Sequence, residues 1–211
     1  RYITSHMKQI LNKDNLNLII CHIGNGASMC CVKNSKSYDT TMGLTPLDGL
    51  VMGTRCGTID PSIGLFLIRQ GWDVNKVDNM FNKESGLKGF NGKHDFRYVN
   101  VLASSGDVNA KLVIDMFKNR IANYIAMYAN QLENKIDAII FTAGIGENAT
   151  QAVIDILNRV KVLKLDINNE VVNTSYGDYR LITNNSSHIK VYPVRTDEEL
   201  MIEQDVKRLP K

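Results

Sequence analysis

The chain has 211 residues, 44% hydrophobic and 22% charged, a balance that supports a substantial core in one large domain, or one domain with a small lobe. Its 25 Lys and Arg against 22 Asp and Glu leave a net charge of +3, and the basic residues are scattered rather than interleaved with aromatics, which argues against a nucleic-acid partner. No apolar run approaches the roughly 20 residues a bilayer requires, and the polar start RYITSHMKQ resembles neither a signal nor a transit peptide, so a soluble protein without a membrane partner is expected.

The chain opens on Arg1 rather than methionine, as a piece of a longer protein does. Residues 16–23, LNLIICHI, read as a strand, and Gly24-Asn25-Gly26 as a hairpin, because Asn-Gly readily takes the two positive φ values of a type I′ turn. ASMCCVK returns as a second strand, and KSYDTT follows the turn at Asn34-Ser35 as a third, completing an antiparallel meander. Cys21, Cys30, Cys31 and Cys56 show neither C-x-x-C spacing nor the His pattern of a zinc site, and read as small apolar residues in a reducing compartment. Adjacent Cys30 and Cys31 point to opposite faces of a strand, so one of them is expected in the core. The next stretch, MGLTPLDGLVMGTRCGTID, is glycine-punctuated and aperiodic, an ordered or functional loop.

Asp60-Pro61 supply an N-cap and a first-turn proline for a helix through residue 69. Asp73 caps a second helix, with Val74, Val77, Met80 and Phe81 on one side. Residues 86–92 read as a glycine-rich loop leading into KHDFRYVNVL. Asp107 opens the longest helix, with Leu112, Met116, Ile121, Tyr124, Ile125, Tyr128 and Leu132 at helical spacing. Residues 136–141 form an apolar strand, and residues 189–194 the last one. Thr196-Asp197-Glu198-Glu199 is a capping box for a terminal helix. A meander followed by alternating strands and helices predicts an α/β fold, a mixed sheet flanked by helices in the order of the ribonuclease H-like ATPase core.

FTAGIGENAT lies between the strand at 136–141 and a helix that places Ala152, Val153, Ile156, Leu157 and Val160 on one face. Its glycines therefore sit on a strand-to-helix turn, where they permit positive φ and close ligand approach, and where free helix amides favour an anionic or nucleotide ligand. Taken alone, the pair also suits a plain tight turn. A dinucleotide fingerprint, Gly144-Ile145-Gly146-Glu147-Asn148-Ala149 with Asp166 about 20 residues on, fits loosely, but such a fingerprint opens its domain and here most of the chain precedes it.

The stretches CHIGNGAS, DTTMGLTPLDGLVMGTRCGTIDPS, NKESGL, HDFR, FTAGIGEN and RTDEELMI stand in the order found in the acetate kinase family, over nearly the whole chain. The sequence resembles the C-terminal half of that family, residues 1–211 forming its nucleotide-binding domain. The resemblance implies the fold shared by acetate and sugar kinases, heat-shock ATPases and actin, with reversible phosphoryl transfer between ATP and acetate. It places His22, Ile23, Gly24, Asn25 and Gly26 against the nucleotide phosphates and Arg55 at the reacting centre as the catalytic residue. It places Asp95, Phe96 and Arg97 beside adenine and ribose, Gly144, Ile145, Gly146, Glu147 and Asn148 in an adenosine loop, and Glu198 with magnesium. Residue chemistry agrees: a guanidinium binds phosphoryl and carboxylate oxygens through paired donors, and a carboxylate is a hard ligand for Mg2+. Glu198 equally suits the first turn of a capped helix.

Arg195 and Asp197 depart from the proline and asparagine of many relatives. Thr4-Ser5-His6 lies too close to the hairpin for the family's Thr-Ser-His, and the family's N-terminal groups have no counterpart here. The resemblance implies ATP or ADP and acetate or another short-chain carboxylate as ligands, a homodimer through the C-terminal domain, and a cytoplasmic location. A propionate kinase shares these motifs, and a non-catalytic nucleotide-binding or dimerisation module is the reading from another class.

Overall fold

The computed structural model describes residues 1–171 and 174–208, the side chains of residues 198, 204, 205 and 208 excepted. In chain order the elements are α1 (Tyr2–Leu11), β1 (Leu18–Ile23), β2 (Ala27–Lys33), β3 (Lys36–Thr40), α2 (Ser62–Arg69), α3 (Val74–Lys83), α4 (Gly86–Asn91), α5 (Phe96–Ser104) and α6 (Val108–Gln131). They continue with β4 (Ala138–Thr142), α7 (Ala143–Asn148), α8 (Thr150–Arg159), β5 (Lys190–Pro193) and α9 (Glu198–Arg208). One sheet has the order β3-β2-β1-β4-β5. The meander β1-β2-β3 is antiparallel, whereas β4 runs parallel to β1 and β5 parallel to β4. This is the ribonuclease H-like arrangement expected from the order of strands and helices.

The central strands are apolar at nearly every position because both faces of the sheet are covered. Ile19, Cys21, Ile23, Ile139, Phe141 and Val191 join a core with α5, α6 and α8. Leu18, Ala138, Ile140 and Tyr192 point the other way and pack with Ile3 and Met7 of α1. Strand alternation puts His22 on this second face, opposite Cys21 and Ile23. The helix α1 was not read from the sequence; its apolar positions Ile3, Met7, Ile10 and Leu11 recur at helical spacing within a polar stretch.

Aspartates start the helices as expected. Asp60 accepts from Ser62 N, Asp73 from Asn75 N and Lys76 N, Asp95 from Arg97 N, and Asp107 from Ala110 N. Three expectations are corrected. The two-residue turn with positive φ is not at Asn25-Gly26 but at Asn34-Ser35, with φ of 51° and 60°. Ser35 is held there by its N–H to Leu16 O (2.8 Å) and its hydroxyl to Asp14 O (2.7 Å). Gly24-Asn25-Gly26 forms instead a three-residue bend between paired Ile23 and Ala27, closed by Gly24 N to Gly26 O (3.1 Å), and none of the three is left-handed. Residues 86–91 are helical rather than a loop, because Gly86 at φ 61° turns the chain into α4 and Gly92 at φ 75° ends it. On α6, Ile121, Ile125, Tyr128 and Leu132 are buried as expected, but Leu112 is exposed and Met116 and Tyr124 are half-buried; in the first half of the helix the buried positions are Val113 and Phe117 instead.

The four cysteines are free thiols, Cys21 and Cys31 buried and Cys30 and Cys56 partly so. Burial pushes the Cys31 thiol up to about 11 and raises those of Cys21 and Cys56 as well, so each stays protonated at neutral pH. In denaturant without reductant all four should react with a thiol reagent; in the native protein Cys21 and Cys31 should remain silent. Fewer than four groups after unfolding would reveal a disulfide.

Candidate nucleotide site

A cleft of about 570 Å3 opens where the loops after β1 and β4 meet the start of α5. Its floor is apolar. Phe96 is buried and tilts against Phe117 of α6, ring centroids 5.2 Å apart, with Leu87 and Ile145 beside them. Its rim is polar and carries Asn25, His94, Asp95, Arg97 and Asn148, with backbone exposed at Gly24, Gly53 and Gly144. An apolar floor under a rim of donors and acceptors suits a flat base attached to a hydroxylated, anionic group. A groove of similar volume runs along the outer face of α6 but brings none of the candidate residues together.

The hairpin is pinned by the glycine-rich loop before α2. Gly53 N donates to Asn25 O (2.9 Å), and a Cβ at Gly53 would stand 2.1 Å from Asn25 Oδ1, so a larger residue there would have to displace the Asn25 side chain from its place on the rim. The same loop feeds α4, since Met52 O and Gly53 O accept from Leu87 N (3.0 Å) and Lys88 N (3.0 Å). Arg55 follows directly. Its Nη1 makes only long contacts, 3.5 Å to Pro46 O and 3.7 Å to Met52 Sδ, and no carboxylate pairs with it among the described residues. A Cβ on Gly26 would lie 3.7 Å from that nitrogen. The hairpin thus separates the cleft, on the side of Gly24 and Asn25, from the guanidinium of Arg55 beside Gly26.

After β4 the left-handed residue is not a glycine but Ala143, at φ 64°. The two glycines have different roles. A Cβ on Gly144 would meet nothing within 4 Å, which leaves the backbone open to the cleft. A Cβ on Gly146 would come within 3.1 Å of the Phe141 carbonyl carbon, so this glycine lets α7 lie on β4. The first amide of α7 is not free for an anion, because Ala143 N donates to Glu147 Oε1 (2.9 Å). Asn148 Nδ2 donates back to Gly144 O (2.9 Å).

Of the residues singled out in the sequence, Gly24, Asn25, Asp95, Phe96, Arg97, Gly144, Ile145 and Asn148 share this cleft. His22, Ile23, Gly26, Gly146 and Glu147 lie outside its lining: Ile23 and Gly146 are buried, and His22 pairs with Thr142 on the neighbouring strand. Glu198 begins α9, and its side chain lies outside the described residues. Among the described residues no three His, Cys, Asp or Glu side chains gather to hold a metal ion. Gly53, Leu87, His94 and Phe117 line the cleft without having been singled out, and Ala149, named only as the end of the loose dinucleotide fingerprint, lines it too. Gly53 and His94 stand inside the MGTR and HDFR stretches, while Phe117 is indistinguishable in sequence from any core position of α6.

Asp95 and Arg97 are already engaged with each other. Asp95 Oδ1 accepts from Arg97 N (2.8 Å) and Nε (3.1 Å), and Oδ2 accepts from Nη2 (2.6 Å). These bonds hold the Asp95 carboxyl down to about 2. A depressed carboxylate supports the fold above the ordinary carboxylate range and loses that contribution as the pH falls towards 2. Carboxyl-carbon NMR should show Asp95 ionised throughout an acid titration to about pH 3, and Arg97→Ala should move its midpoint upward. An unchanged midpoint in the variant would mean the pair does not persist in solution.

Comparison with known proteins agrees with these features. The pattern of the Acetokinase family matches residues 1–204. The chain is 44% identical over 212 residues to the acetate kinase of Mycoplasmoides gallisepticum and 48% identical over 215 residues to that of Mesoplasma florum, in each case over 100% of this chain and 54% of the relative. A propionate kinase from Francisella tularensis superimposes with a TM-score of 0.89 at 43% identity, covering 97% of this chain and 52% of the other. The acetate kinase of Porphyromonas gingivalis gives a TM-score of 0.90 at 32% identity, covering 98% and 52%. The chain spans about half the length of the curated relatives it matches. Motif order, fold and identity over its whole length together establish that the chain belongs to the acetokinase family.

Proposed function

We propose that this chain is the C-terminal, nucleotide-binding half of an acetate kinase whose complete form moves a phosphoryl group reversibly between ATP and acetate, giving acetyl phosphate and ADP. The observation that carries this reading is the meeting of the Gly24-Asn25 hairpin, the Asp95–Arg97 helix start and the open face of Gly144 around one cleft, with Arg55 across the hairpin. In this reading adenine lies over Phe96 and Ile145, and ribose lies toward Asp95 and Asn148. The phosphates cross the hairpin, whose glycines admit close approach, toward Arg55.

Arg55 then offsets the charge that moves between donor and acceptor oxygens, a contribution made by position rather than by bond chemistry. Magnesium belongs to this reading as a companion of the nucleotide phosphates, with Glu198 at the start of α9 as its carboxylate. The described side chains do not form a self-contained metal centre, so the phosphates and other groups would supply the remaining oxygens.

Acetate is the acceptor this reading favours, and the Francisella propionate kinase keeps a slightly longer carboxylate as the second reading. We also assign a homodimer formed through this domain. The apolar face of α2, which buries no residue and exposes Leu65 and Phe66, supports an uncovered contact surface in the isolated chain. A cytoplasmic location fits the free thiols, and the scattered charge gives no footprint for nucleic acid or anionic lipid.

Two measurements on one preparation of the chain test the reading. Calorimetry should find weak ADP binding, and a hydroxamate assay should find no acetyl phosphate. Transfer requires acceptor, phosphoryl group and metal to be oriented together, which is worth about 7–11 kcal/mol of barrier. Robust turnover by the isolated chain would misplace the active site, and a folded sample without ADP binding would leave only a structural or dimerisation role. In the complete enzyme, Arg55→Ala should lower kcat by at least about 100-fold without unfolding the protein. Near-normal acetyl phosphate synthesis by that variant would remove Arg55 from the chemistry.

A further inference from the structure

One carboxylate oxygen behind the cleft has four donors. Glu147 Oε1 accepts from Ala143 N (2.9 Å) and Thr142 Oγ1 (3.3 Å) at the end of β4, and from Thr196 N (3.2 Å) and Thr196 Oγ1 (3.3 Å) in the connection from β5 to α9. A neutral amide oxygen, with two lone pairs and no net charge, would hold so many donors less tightly than an ionised carboxylate does. The backbone of the same residue is fixed as well, since Tyr176 Oη donates to Glu147 O (2.7 Å). Behind Tyr176, the guanidinium carbons of Arg180 and Arg195 lie 4.8 and 5.4 Å from its ring centre. Arg180 Nη2 donates to Thr150 Oγ1 (3.0 Å) at the start of α8. Burial, and then the nearby Glu147 carboxylate, push the Tyr176 phenol up, so it remains a donor at neutral pH.

What this arrangement fixes is the shape of the cleft. Ala143, whose amide Glu147 holds, is left-handed and directly precedes Gly144. A Cβ on Gly24 would lie 3.6 Å from the Ala143 Cβ, so the hairpin rests against the same residue. Thr196 stands two residues before Glu198. We propose that Glu147 is a positioning residue that joins the nucleotide loop to the β5–α9 connection, setting the open face of Gly144 and the path into α9 through one carboxylate that touches neither base nor phosphate. This rests on the nucleotide reading of the cleft. It gives Glu147 a role different from that of a nucleotide contact, and it makes the two segments of the site move as one.

The test is calorimetric ADP affinity of the chain and its variants, with a thermal melt on each sample. Glu147→Ala should weaken ADP binding at least about tenfold at temperatures where the variant is fully folded, the size expected when a charged acceptor leaves its donors unpaired. Glu147→Gln, which keeps an oxygen in the same place, should recover most of the loss. Thr196→Val should weaken binding by a smaller factor, and the Glu147→Ala/Thr196→Val double variant should bind no more weakly than Glu147→Ala alone, because both changes break one connection. Unchanged affinity in folded Glu147→Ala, or effects of the two positions that simply multiply, would overturn the proposal; a residue important only for stability would shift the melt and leave affinity alone. If Glu147→Ala does not fold, Thr196→Val decides: weaker ADP binding by the folded variant supports the connection, and unchanged affinity overturns it. Folded wild-type chain that fails to bind ADP overturns the nucleotide reading and this role with it, whereas wild-type binding with indifferent variants overturns this role alone.

Discussion

Every part of the cleft depends on β1 and β4 lying side by side, parallel and in register, from Leu18 opposite Ala138 to His22 opposite Thr142. Parallel neighbours send their loops out at the same end, so the hairpin after β1 and the helical turn after β4 must emerge together. That pairing requires a sheet covered on both faces. The first cover is α6 with α8, and the second is α1, whose Met7 is fully buried against the far side. Burial of each such side chain is worth about 1.5–3 kcal/mol. A strand slip of one residue would exchange the two faces, placing His22 in the core and Cys21 outside it.

Given that frame, the difficulty is to hold long irregular segments still. Ordering a residue costs roughly 1–2 kcal/mol of backbone entropy, and the stretch between β3 and α2 has no regular structure with which to recover it. It is ordered instead by burying Leu50, Val51 and Met52 and by lending carbonyls to α4 and an amide to Asn25. Glycine is required at Gly86, left-handed and with a Cβ position 2.1 Å from Met52 O, while at Gly53 a Cβ would stand 2.1 Å from Asn25 Oδ1 and push that side chain aside. The helix α4 is therefore less a separate element than the second half of this loop, its opening amides satisfied by the chain that precedes it.

This also explains what could be read from sequence and what could not. Helix starts were legible because an aspartate at an N-cap acts locally, as at Asp60, Asp73, Asp95 and Asp107. The meander and the apolar strands were legible through alternation and run length. The turn type at Gly24-Asn25-Gly26 was not, because the Gly53 amide pulls on Asn25 O from about 30 residues away and a local Asn-Gly preference yields to it. Helix α4 was hidden because its glycines read as punctuation, when one of them is the entry turn and another the cap. Phe117 has no signal of its own, since a core aromatic and the floor of a cleft differ only in what stands across from them. Glu147 was attached to the right loop, but a carboxylate facing a ligand and one facing Thr196 have the same sequence.

The two arginines near the cleft show how local pairing decides which charge is available. Arg97 is highly exposed and would be judged the freer group from accessibility, yet both of its oxygen partners belong to Asp95, two residues away. A bidentate pair of this kind is nearly neutral at the distance of a ligand, so Arg97 adds order to the rim more than field to the site. Arg55 is half-buried, with only a distant carbonyl and a sulfur near its nitrogen, and its charge is uncompensated by any described carboxylate. Leaving a partly desolvated cation unpaired is unfavourable, and the fold tolerates it through the bonds that fix the neighbouring backbone, Met52 N to Arg55 O (3.1 Å) and Cys56 N to Phe81 O (3.0 Å). A backbone held that firmly keeps the guanidinium in place without a carboxylate beside it among the described residues, and this fixed, unpaired charge is what the proposed role of Arg55 rests on.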